Sequence, residues 1–304
     1  MTKRLAIEIG GTKLQAAVGD AEGKISDVRR CPVPPGSDAG DIRRLLVDLV
    51  GPLARARGME RVGIGFGGPV DAEGGRIVRS FHVAGWDGFA LRDWAEGQFG
   101  LPCVIENDTN CGALAEARAG AGAGANVVFY TNIGSGIGGG IVIDGSLYRR
   151  PLGAAEIGHT KLWDPRSGEY VIVEKLCSGW SIGRMAREQA AEGRMPKVLQ
   201  LAGGDAEAIT AEHVGRAAGG GDAAAGELIA TAAGNFAVAL CNVITLISPD
   251  RIVVGGGVSL MGEAFFRPLR EAVARQVFRP YAGRYEIVPA ALGENVVLVG
   301  ALLI

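Results

Sequence analysis

The sequence lacks the features of several protein classes. Its 304 residues contain no Gly-X-Y repeat and no long proline or serine tract, which argues against collagen-like and disordered chains. Its most apolar stretch, residues 236–247, is interrupted by Asn242 and Thr245 and is too short to span a bilayer. The first apolar run ends after three residues at Glu8, unlike a signal peptide. We therefore expect a soluble, cytoplasmic protein that contacts no membrane.

Cysteine and positive charge also form no specialised pattern. The five cysteines are widely spaced and contain no C-x-x-C, so we expect free, mostly buried thiols in a reducing compartment. The net charge is −2, and lysine and arginine are scattered along the chain. This distribution does not predict a nucleic-acid-binding surface.

Glycine, in contrast, is abundant, at 49 residues. The string G-x-G-x-x-G occurs at 63–68 and at 134–139. A dinucleotide site needs a helix directly after these glycines, but Pro69-Val70-Asp71 follows the first string and a predicted strand, 141–143, follows the second. NAD binding is therefore not expected. No G-x-x-x-x-G-K-[ST] occurs, which also excludes a P-loop.

An internal repeat gives the glycines another role. Residues 5–18 and 127–143 each predict a strand, a glycine-rich turn and a second strand, and the small-residue stretch 119–126 between them fits a lobe boundary. Backbone N–H groups of such turns can converge on phosphate. The alternative is that both are ordinary tight hairpins. That alternative would account for one such turn, but it accounts less well for two turns of the same type. The candidate phosphate-binding residues are Gly10, Gly11, Thr12 and Lys13 in the first turn and Gly134, Ser135 and Gly136 in the second.

Helix and strand patterns alternate along the rest of the chain, which predicts α/β lobes with mainly parallel sheets. Predicted helices cover residues 41–57, 91–98, 109–118, 181–191, 211–218, 223–247 and 260–277; predicted strands cover 61–66, 102–105, 250–254 and 286–289. The triplet Gly255, Gly256 and Gly257 follows one of these strands. It would leave space for a nucleoside against the backbone, and a tight strand-to-helix turn explains it equally well.

Seven segments, taken together, resemble the ROK group of sugar kinases in the actin-like ATPase superfamily. They are IEIGGTK (7–13), GFGGPVD (65–71), IENDTNCGALAE (105–116), GSGIGGGIVIDG (134–145), GAAEIGH (153–159), IVVGGGVS (252–259) and LGENVVLVGA (292–301). The resemblance implies a two-lobed actin-like (ribonuclease H-like) α/β fold with a central cleft. It also implies ATP, Mg²⁺ and a homodimer. We expect one lobe at 1–118 plus 292–304 and the other at 119–291.

The same resemblance assigns roles to individual residues. Asp108 matches the family's catalytic aspartate, which takes the proton from the sugar hydroxyl, although a lone Asp at a helix start is more often an N-cap. Asn107, Glu156, His159 and Glu174 match positions that contact sugar hydroxyls. Gly68 matches a position where the backbone approaches the sugar.

Two departures from the family pattern concern metals. Many members bind structural zinc through a histidine and three cysteines, but the corresponding stretch here, 161–174, contains no cysteine, so we expect no zinc site. We expect packing by Trp163, Tyr170 and Val171 to hold His159 and Glu174 instead. Glu8 stands where most relatives have Asp, a carboxylate expected to hold Mg²⁺ through water.

The sequence therefore predicts ATP-dependent phosphorylation of a hexose or hexose derivative at O6, with Asp108 as general base. A non-catalytic sugar-binding or sugar-sensing protein is the alternative, and another phosphoryl donor stays open. The family's repressors carry a helix-turn-helix before the first glycine motif; only four residues precede Leu5, so we expect no DNA binding. The residues do not identify the sugar, although residues 80–89 are predicted to form the pocket rim through His82, Trp86 and Asp87.

Overall fold

The structure, a computed structural model, describes residues 3–56, 58–81, 83–150 and 153–304. Its strands are β1 Lys3–Ile9, β2 Lys13–Gly19, β3 Ile25–Pro32, β4 Met59–Phe66, β5 Val70–Asp71, β6 Arg76–Ile77, β7 Cys103–Asn107, β8 Val127–Ile133, β9 Ile137–Ile143, β10 Ser146–Leu147, β11 Lys161–Asp164, β12 Glu169–Ile172, β13 Arg251–Gly255 and β14 Glu286–Pro289. Its α-helices are α1 Ala39–Ala54, α2 Leu91–Phe99, α3 Asp108–Ala119, α4 Glu174–Cys177, α5 Gly179–Ala191, α6 Pro196–Leu201, α7 Ala211–Gly219, α8 Ala223–Ile247, α9 Glu263–Gln276 and α10 Val296–Leu303.

The chain divides into two compact units. The first comprises the residues up to Gly124, Gly140–Ala154 and Leu292–Ile304, and the second comprises Ala125–Gly139 and Ala155–Ala291. The boundary passes through β9, so the sequence segments of the two units alternate. The lobe bounds expected from the sequence stay a prediction.

The first unit contains a five-stranded sheet in the order β3-β2-β1-β4-β7. β1, β2 and β3 are antiparallel neighbours joined by short turns, whereas β1, β4 and β7 run parallel. In the parallel part, Ile9 pairs with Phe66 and Phe66 pairs with Asn107. The carboxyl ends of these three strands therefore meet at one edge of the sheet, where ligand sites of α/β folds are usually found.

Helix α1 covers this sheet with an apolar stripe. Asp38 caps the helix, because its carboxylate accepts from the Asp41 N–H while the Asp41 side chain accepts from the Asp38 N–H. Ile42, Leu46 and Val50, at helical spacing, are fully buried in the core. The sequence predicted this helix at 41–57. It begins at Ala39, directly after the cap, and ends at Ala54.

Helix α10 belongs to the first unit because two glycines let it approach the sheet and α3. A Cβ on Gly63 would lie 1.8 Å from the Ala301 carbonyl oxygen, and one on Gly300 would lie 2.0 Å from that of Cys111. The buried Glu116 side chain adds a polar link, since it accepts from the Leu292 N–H at 2.8 Å. Val296–Leu303, for which the sequence predicted neither a helix nor a strand, thus forms a docked helix.

The second five-stranded sheet has the order β10-β9-β8-β13-β14. β13 runs parallel to both β8 and β14, and Gly255 at its end pairs with Asn132. The hairpin β11–β12 forms in a stretch for which the sequence predicted neither a helix nor a strand. A 3₁₀ turn, Gly257–Met261, occupies the start of the helix predicted at 260–277, so α9 begins at Glu263.

Helix α8 is the one helix of the described residues that is long and apolar enough to cross a membrane by length and composition alone. A core helix passes the same test. Leu228, Ile229, Phe236 and Leu240 on α8 are buried in the fold.

The structure is mixed α/β. Both strand–turn–strand units lie at their expected positions, each in a five-stranded sheet, which confirms the predicted two-lobed actin-like fold class.

All five cysteines are free; Cys31 is half-buried and the other four are buried.

The tight approach of α10 yields a stability prediction. We expect Gly300→Ala to lower the free energy of unfolding by about 3 kcal/mol, because the added methyl group would press into the backbone of α3. A matched control is Gly226→Ala in α8, where a Cβ meets nothing within 4 Å and the change should be neutral or slightly stabilising. Urea unfolding of both variants measures the difference. Equal stabilities would contradict this account of the docking.

Candidate active site

The Asn107 side chain caps helix α3. Its Oδ1 atom accepts from the Thr109 N–H at 2.9 Å and the Asn110 N–H at 3.1 Å. Its Nδ2 atom donates to the Gly68 carbonyl at 3.0 Å and to Asp108 Oδ1 at 3.1 Å. These four contacts match the full hydrogen-bonding capacity of an amide. The cap at this strand-to-helix junction is therefore Asn107, and the alternative role of Asp108 as N-cap is wrong.

Asp108 is the first residue of α3 and is held by its neighbours. Its Oδ1 atom accepts from the Thr109 N–H at 2.7 Å, from Asn107, and from the Thr109 hydroxyl at 3.3 Å. Its Oδ2 atom faces Gly67, where a Cβ would lie 3.5 Å away. The positive end of the helix dipole favours an ionised carboxylate at this place. The carboxylate is thus fixed in orientation at the strand edge where β1, β4 and β7 end.

A second carboxylate, Glu106, lies behind this junction with only 4% of its side chain exposed. It accepts from the Asn107 N–H at 3.0 Å and from Asn110 Nδ2 at 2.9 Å. Arg149 Nε donates to its other oxygen at 2.8 Å. Because a buried carboxylate needs a cation and hydrogen-bond donors, this set fixes the start of α3 from beneath.

Glu8 points from β1 to the same edge of the sheet. Gln15 Nε2 donates to its Oε2 atom at 2.6 Å. Burial raises the pKa of the Glu8 carboxyl; the Gln15 hydrogen bond and Lys13 lower it, and Asp108 and Glu294 raise it further. The negative charge of Asp108 thus acts on the Glu8 carboxylate. Carboxylate oxygens are among the ligands that Mg²⁺ prefers, so Glu8 is a candidate to hold it.

The first glycine turn joins β1 to β2. The Gly10 N–H donates to the Lys13 carbonyl at 3.2 Å, while Gly11 and Thr12 are exposed. The Gly67 N–H donates to the Ile9 carbonyl at 3.0 Å, which places the turn beside the Gly67–Gly68 backbone. The structure thus brings Glu8, the turn, Gly68, Asn107 and Asp108 to one edge of one sheet.

The second glycine turn, in the second unit, is packed by Glu174. The Ile137 N–H donates to Glu174 Oε2 at 2.8 Å, and a Cβ on Gly136 would lie 2.4 Å from that oxygen. The Gly134 carbonyl accepts from the Gly179 N–H at 2.8 Å, at the start of α5. Glu174, predicted to contact sugar, therefore holds the glycine turn in this structure.

Glu156 directly precedes a 3₁₀ turn, Ile157–His159, and His159 ends it; both side chains are exposed. The turn is anchored by buried Ile157, and a Cβ on Gly158 would lie 2.1 Å from the Ile137 carbonyl oxygen. The two side chains thus stand on a turn that packs against the strand following the second glycine turn.

The glycine triplet does not act as one surface. A Cβ on Gly255 would lie 2.7 Å from the Tyr130 hydroxyl, and Gly256, with φ of 85°, packs against Asn132. Only Gly257 of the three lines the cavity whose wall also contains Gly134 and Ser135 of the second glycine turn. The strand-to-helix packing that the sequence left open as an alternative therefore accounts for Gly255 and Gly256.

This cavity has a volume of about 1070 Å³ and lies wholly within the second unit. Gly134 and Ser135 of the glycine turn form part of its wall. Residues that the sequence analysis missed form much of the rest: Trp180, Arg184, Arg187, Thr210, Glu212 and Met261. Trp180 is 70% exposed at the beginning of α5. Apolar walls with a few charged groups are typical of small-molecule sites.

The segment that carries zinc cysteines in related chains is here the β11–β12 hairpin. Within the described part of the chain, no group of three or more His, Cys, Asp or Glu side chains is arranged to hold a metal ion. Trp163 and Tyr170 pack on each other, with ring centroids 5.4 Å apart, but are 54% and 69% exposed. Leu162 in the hairpin and Val173 directly after it are buried, so the predicted packing role of Trp163 and Tyr170 is wrong. That of Val171, which is half-buried, stays a prediction.

The predicted pocket rim at 80–89 is only partly described. His82 lies outside the described residues. Trp86 is 1% exposed and makes edge-to-face contacts with Phe66 and Phe89. It is a core residue, and its prediction as a rim residue is wrong. Asp87 accepts from the Ser80 N–H at 2.9 Å and so closes the loop.

Comparisons with known proteins agree with this arrangement. The chain matches the ROK family over residues 4–304, and it belongs to that family. It is 30% identical to a glucokinase of Streptomyces coelicolor, over 98% of this chain and 95% of the relative. It is 33% identical to an N-acetylmannosamine kinase of Escherichia coli, over 99% and 97%. A ROK glucokinase of Streptomyces griseus, solved with glucose and AMPPNP, superposes with a TM-score of 0.85 at 32% identity, covering 99% of this chain and 98% of that one.

The cap at the start of α3 gives a prediction. We expect Asn107→Ala to lower the free energy of unfolding by about 1–2 kcal/mol, since it removes the cap and the contact with Gly68. Asn107→Ser should cost less than half as much, because serine caps as well as asparagine does. Thermal and urea unfolding measure both. If serine were as costly as alanine, the link to Gly68 and Asp108 would outweigh the cap.

Proposed function

We propose that this chain transfers the γ-phosphoryl group of ATP to a hydroxyl of a hexose or hexose derivative, at O6. The observation that carries the proposal is Asp108: a carboxylate fixed through Oδ1 at a helix N-terminus, with Oδ2 towards Gly67. The similarity to a glucokinase and an N-acetylmannosamine kinase supports the reaction class.

Asp108 is the proposed general base. The sugar hydroxyl gives its proton to Oδ2 as its oxygen attacks the γ-phosphorus, and ADP leaves. The contacts to Oδ1 keep the carboxylate from rotating, so a substrate hydroxyl meets a preset acceptor. Mg²⁺ supplies charge neutralisation on the phosphate oxygens when bound, and Glu8 is the carboxylate proposed to hold it, through water.

The phosphoryl donor is proposed to use residues of both glycine turns. Gly10, Gly11, Thr12 and Lys13 offer backbone N–H groups, a hydroxyl and an ammonium group. Gly134, Ser135 and Gly136 offer the same type of turn, and the adjoining cavity, bounded by Gly257 and Trp180, would take the nucleoside. Gly255 and Gly256 would shape the floor of this cavity by packing against neighbouring protein atoms, without touching the nucleotide themselves.

The sugar is proposed to bind through Gly68, Asn107, Glu156, His159 and Glu174. Asn107 and Glu174 already have partners within the protein, so each would bind sugar by sharing or exchanging them. The exposed Glu156 and His159 can accept new hydrogen bonds directly. We also propose that the chain works as a cytoplasmic homodimer without zinc.

A non-catalytic sugar-binding protein is the second candidate, and Glu8 favours it. Burial raises the pKa of its carboxyl group, and a carboxyl group that keeps its proton is a poor ligand for a metal ion. Both functions require the chain to bind a sugar, but only the kinase would release ADP.

An ADP-release assay over glucose, mannose, fructose, allose and N-acetylmannosamine tests the proposal. We expect turnover with at least one of these sugars, and a fall of about 10³-fold in kcat for Asp108→Asn. Asp27→Asn, at an exposed position on β3, is the matched control and should keep wild-type turnover. Sugar binding by calorimetry without any ADP release would favour the non-catalytic alternative.

Trp180 gives a separate test of the nucleoside position. Base–aromatic stacking is worth about 1–3 kcal/mol, so Trp180→Ala should weaken AMPPNP binding by about tenfold or more. Trp163→Ala removes another exposed tryptophan, which does not line the cavity, and should have no effect. Calorimetric titration measures both; equal affinities for the two variants would place the nucleoside elsewhere.

A further inference from the structure

Gln15 is a fully buried polar residue on β2 at the centre of a hydrogen-bonded chain. Its Nε2 atom donates to Glu8 Oε2 at 2.6 Å and to the Glu294 carbonyl at 3.2 Å. Its Oε1 atom accepts from Arg30 Nε at 2.6 Å. Glutamine inside a sheet is costly unless its amide is satisfied, and these contacts satisfy it.

The neighbours of this amide allow only one orientation. A guanidinium group has donors and no acceptor, and an ionised carboxylate has acceptors and no donor. Arg30 therefore selects the amide oxygen, which turns the amide nitrogen towards Glu8. Arg30 is itself held, since its NH2 group donates to Asn295 Oδ1 at 3.1 Å and lies 3.8 Å from the Glu294 carboxylate.

We infer that Gln15, oriented by Arg30, is a positioning residue that holds the Glu8 carboxylate for the metal–nucleotide complex. The inference rests on the proposed function, because Glu8 is the carboxylate proposed to act on Mg²⁺. With Oε2 bound by Gln15, the glutamate side chain loses most of its torsional freedom, and Oε1 is the oxygen left to accept from metal-bound water.

The length of Glu8 matters to this arrangement. An aspartate at this position would end about 1.5 Å closer to β1, beyond hydrogen-bonding reach of Gln15 in its present position. Glutamate at position 8 and glutamine at position 15 therefore form a matched pair. The effect of removing one member depends on whether the other is present.

Magnesium-dependent binding of AMPPNP tests the pair. We expect Gln15→Leu to raise the Mg²⁺ concentration needed for half-maximal AMPPNP binding by about tenfold, as for a lost hydrogen bond to a charged group. Binding of ADP in EDTA should not change, because Gln15 would act only through Glu8. Made in a Glu8→Asp background, the same substitution should change the Mg²⁺ requirement by less than about twofold.

Arg30 provides a second variant on a half-exposed side chain. Arg30→Gln should raise the Mg²⁺ requirement by about threefold, because Gln15 keeps its place but loses the donor that fixes its orientation. Arg29→Gln is the matched control: Arg29 is the adjacent residue on β3 and pairs with Asp27. It should leave the requirement unchanged.

Three results would overturn the inference. The first is an unchanged Mg²⁺ requirement in folded Gln15→Leu and Arg30→Gln. The second is a loss of ADP binding in EDTA as large as the loss of Mg²⁺-dependent AMPPNP binding, and the third is an effect of Gln15→Leu in the Glu8→Asp background as large as in the wild-type protein. Absence of Mg²⁺-dependent AMPPNP binding by the wild-type protein would overturn it too. Failure of the proposed function is separate, since it appears as wild-type binding of Mg²⁺ and AMPPNP without ADP release on any sugar.

Discussion

The junction between β7 and α3 is the constraint on which the candidate site depends. Parallel pairing of β1, β4 and β7 brings their carboxyl ends together, and Asn107 converts the last strand end into a helix start by binding two of the orphan N–H groups. The same amide binds the Gly68 carbonyl and Asp108. The Asn107 side chain thus connects the loop after β4, helix α3 and the Asp108 carboxylate. Glu106 and Arg149 support it from beneath.

Close backbone approach is the second requirement of the fold. The chain returns to the first unit after residue 291, and α10 can settle only where Gly63 and Gly300 leave no side chain in the way. This docking brings Glu294 and Asn295 near Gln15 and Arg30. The final segment of the chain therefore contributes to the surroundings of Glu8, a residue close to its beginning.

The two glycine turns look alike in sequence and differ in their surroundings. The first is exposed and lies beside Glu8 and the Gly67–Gly68 backbone. The second is braced by Glu174 from one side and by the start of α5 from the other. A turn that must hold its shape without a ligand needs such partners, because glycine itself supplies no rigidity. The glycine pattern alone carried no information on this difference.

Local features of the sequence determined a large part of this protein. Short apolar runs on both sides of the two glycine turns predicted β1–β2 and β8–β9, and helix patterns predicted α1, α3 and α8, because these signals act over a few residues. The seven ordered motifs led to the family and to Asp108. Tertiary structure decided the rest: Asn107 rather than Asp108 caps α3, Trp86 is core, Glu174 braces a turn, and Gln15 meets Glu8 and Arg30. Each of these depends on residues distant in sequence that meet only when strands pair in register and α10 docks, so no local pattern could specify them.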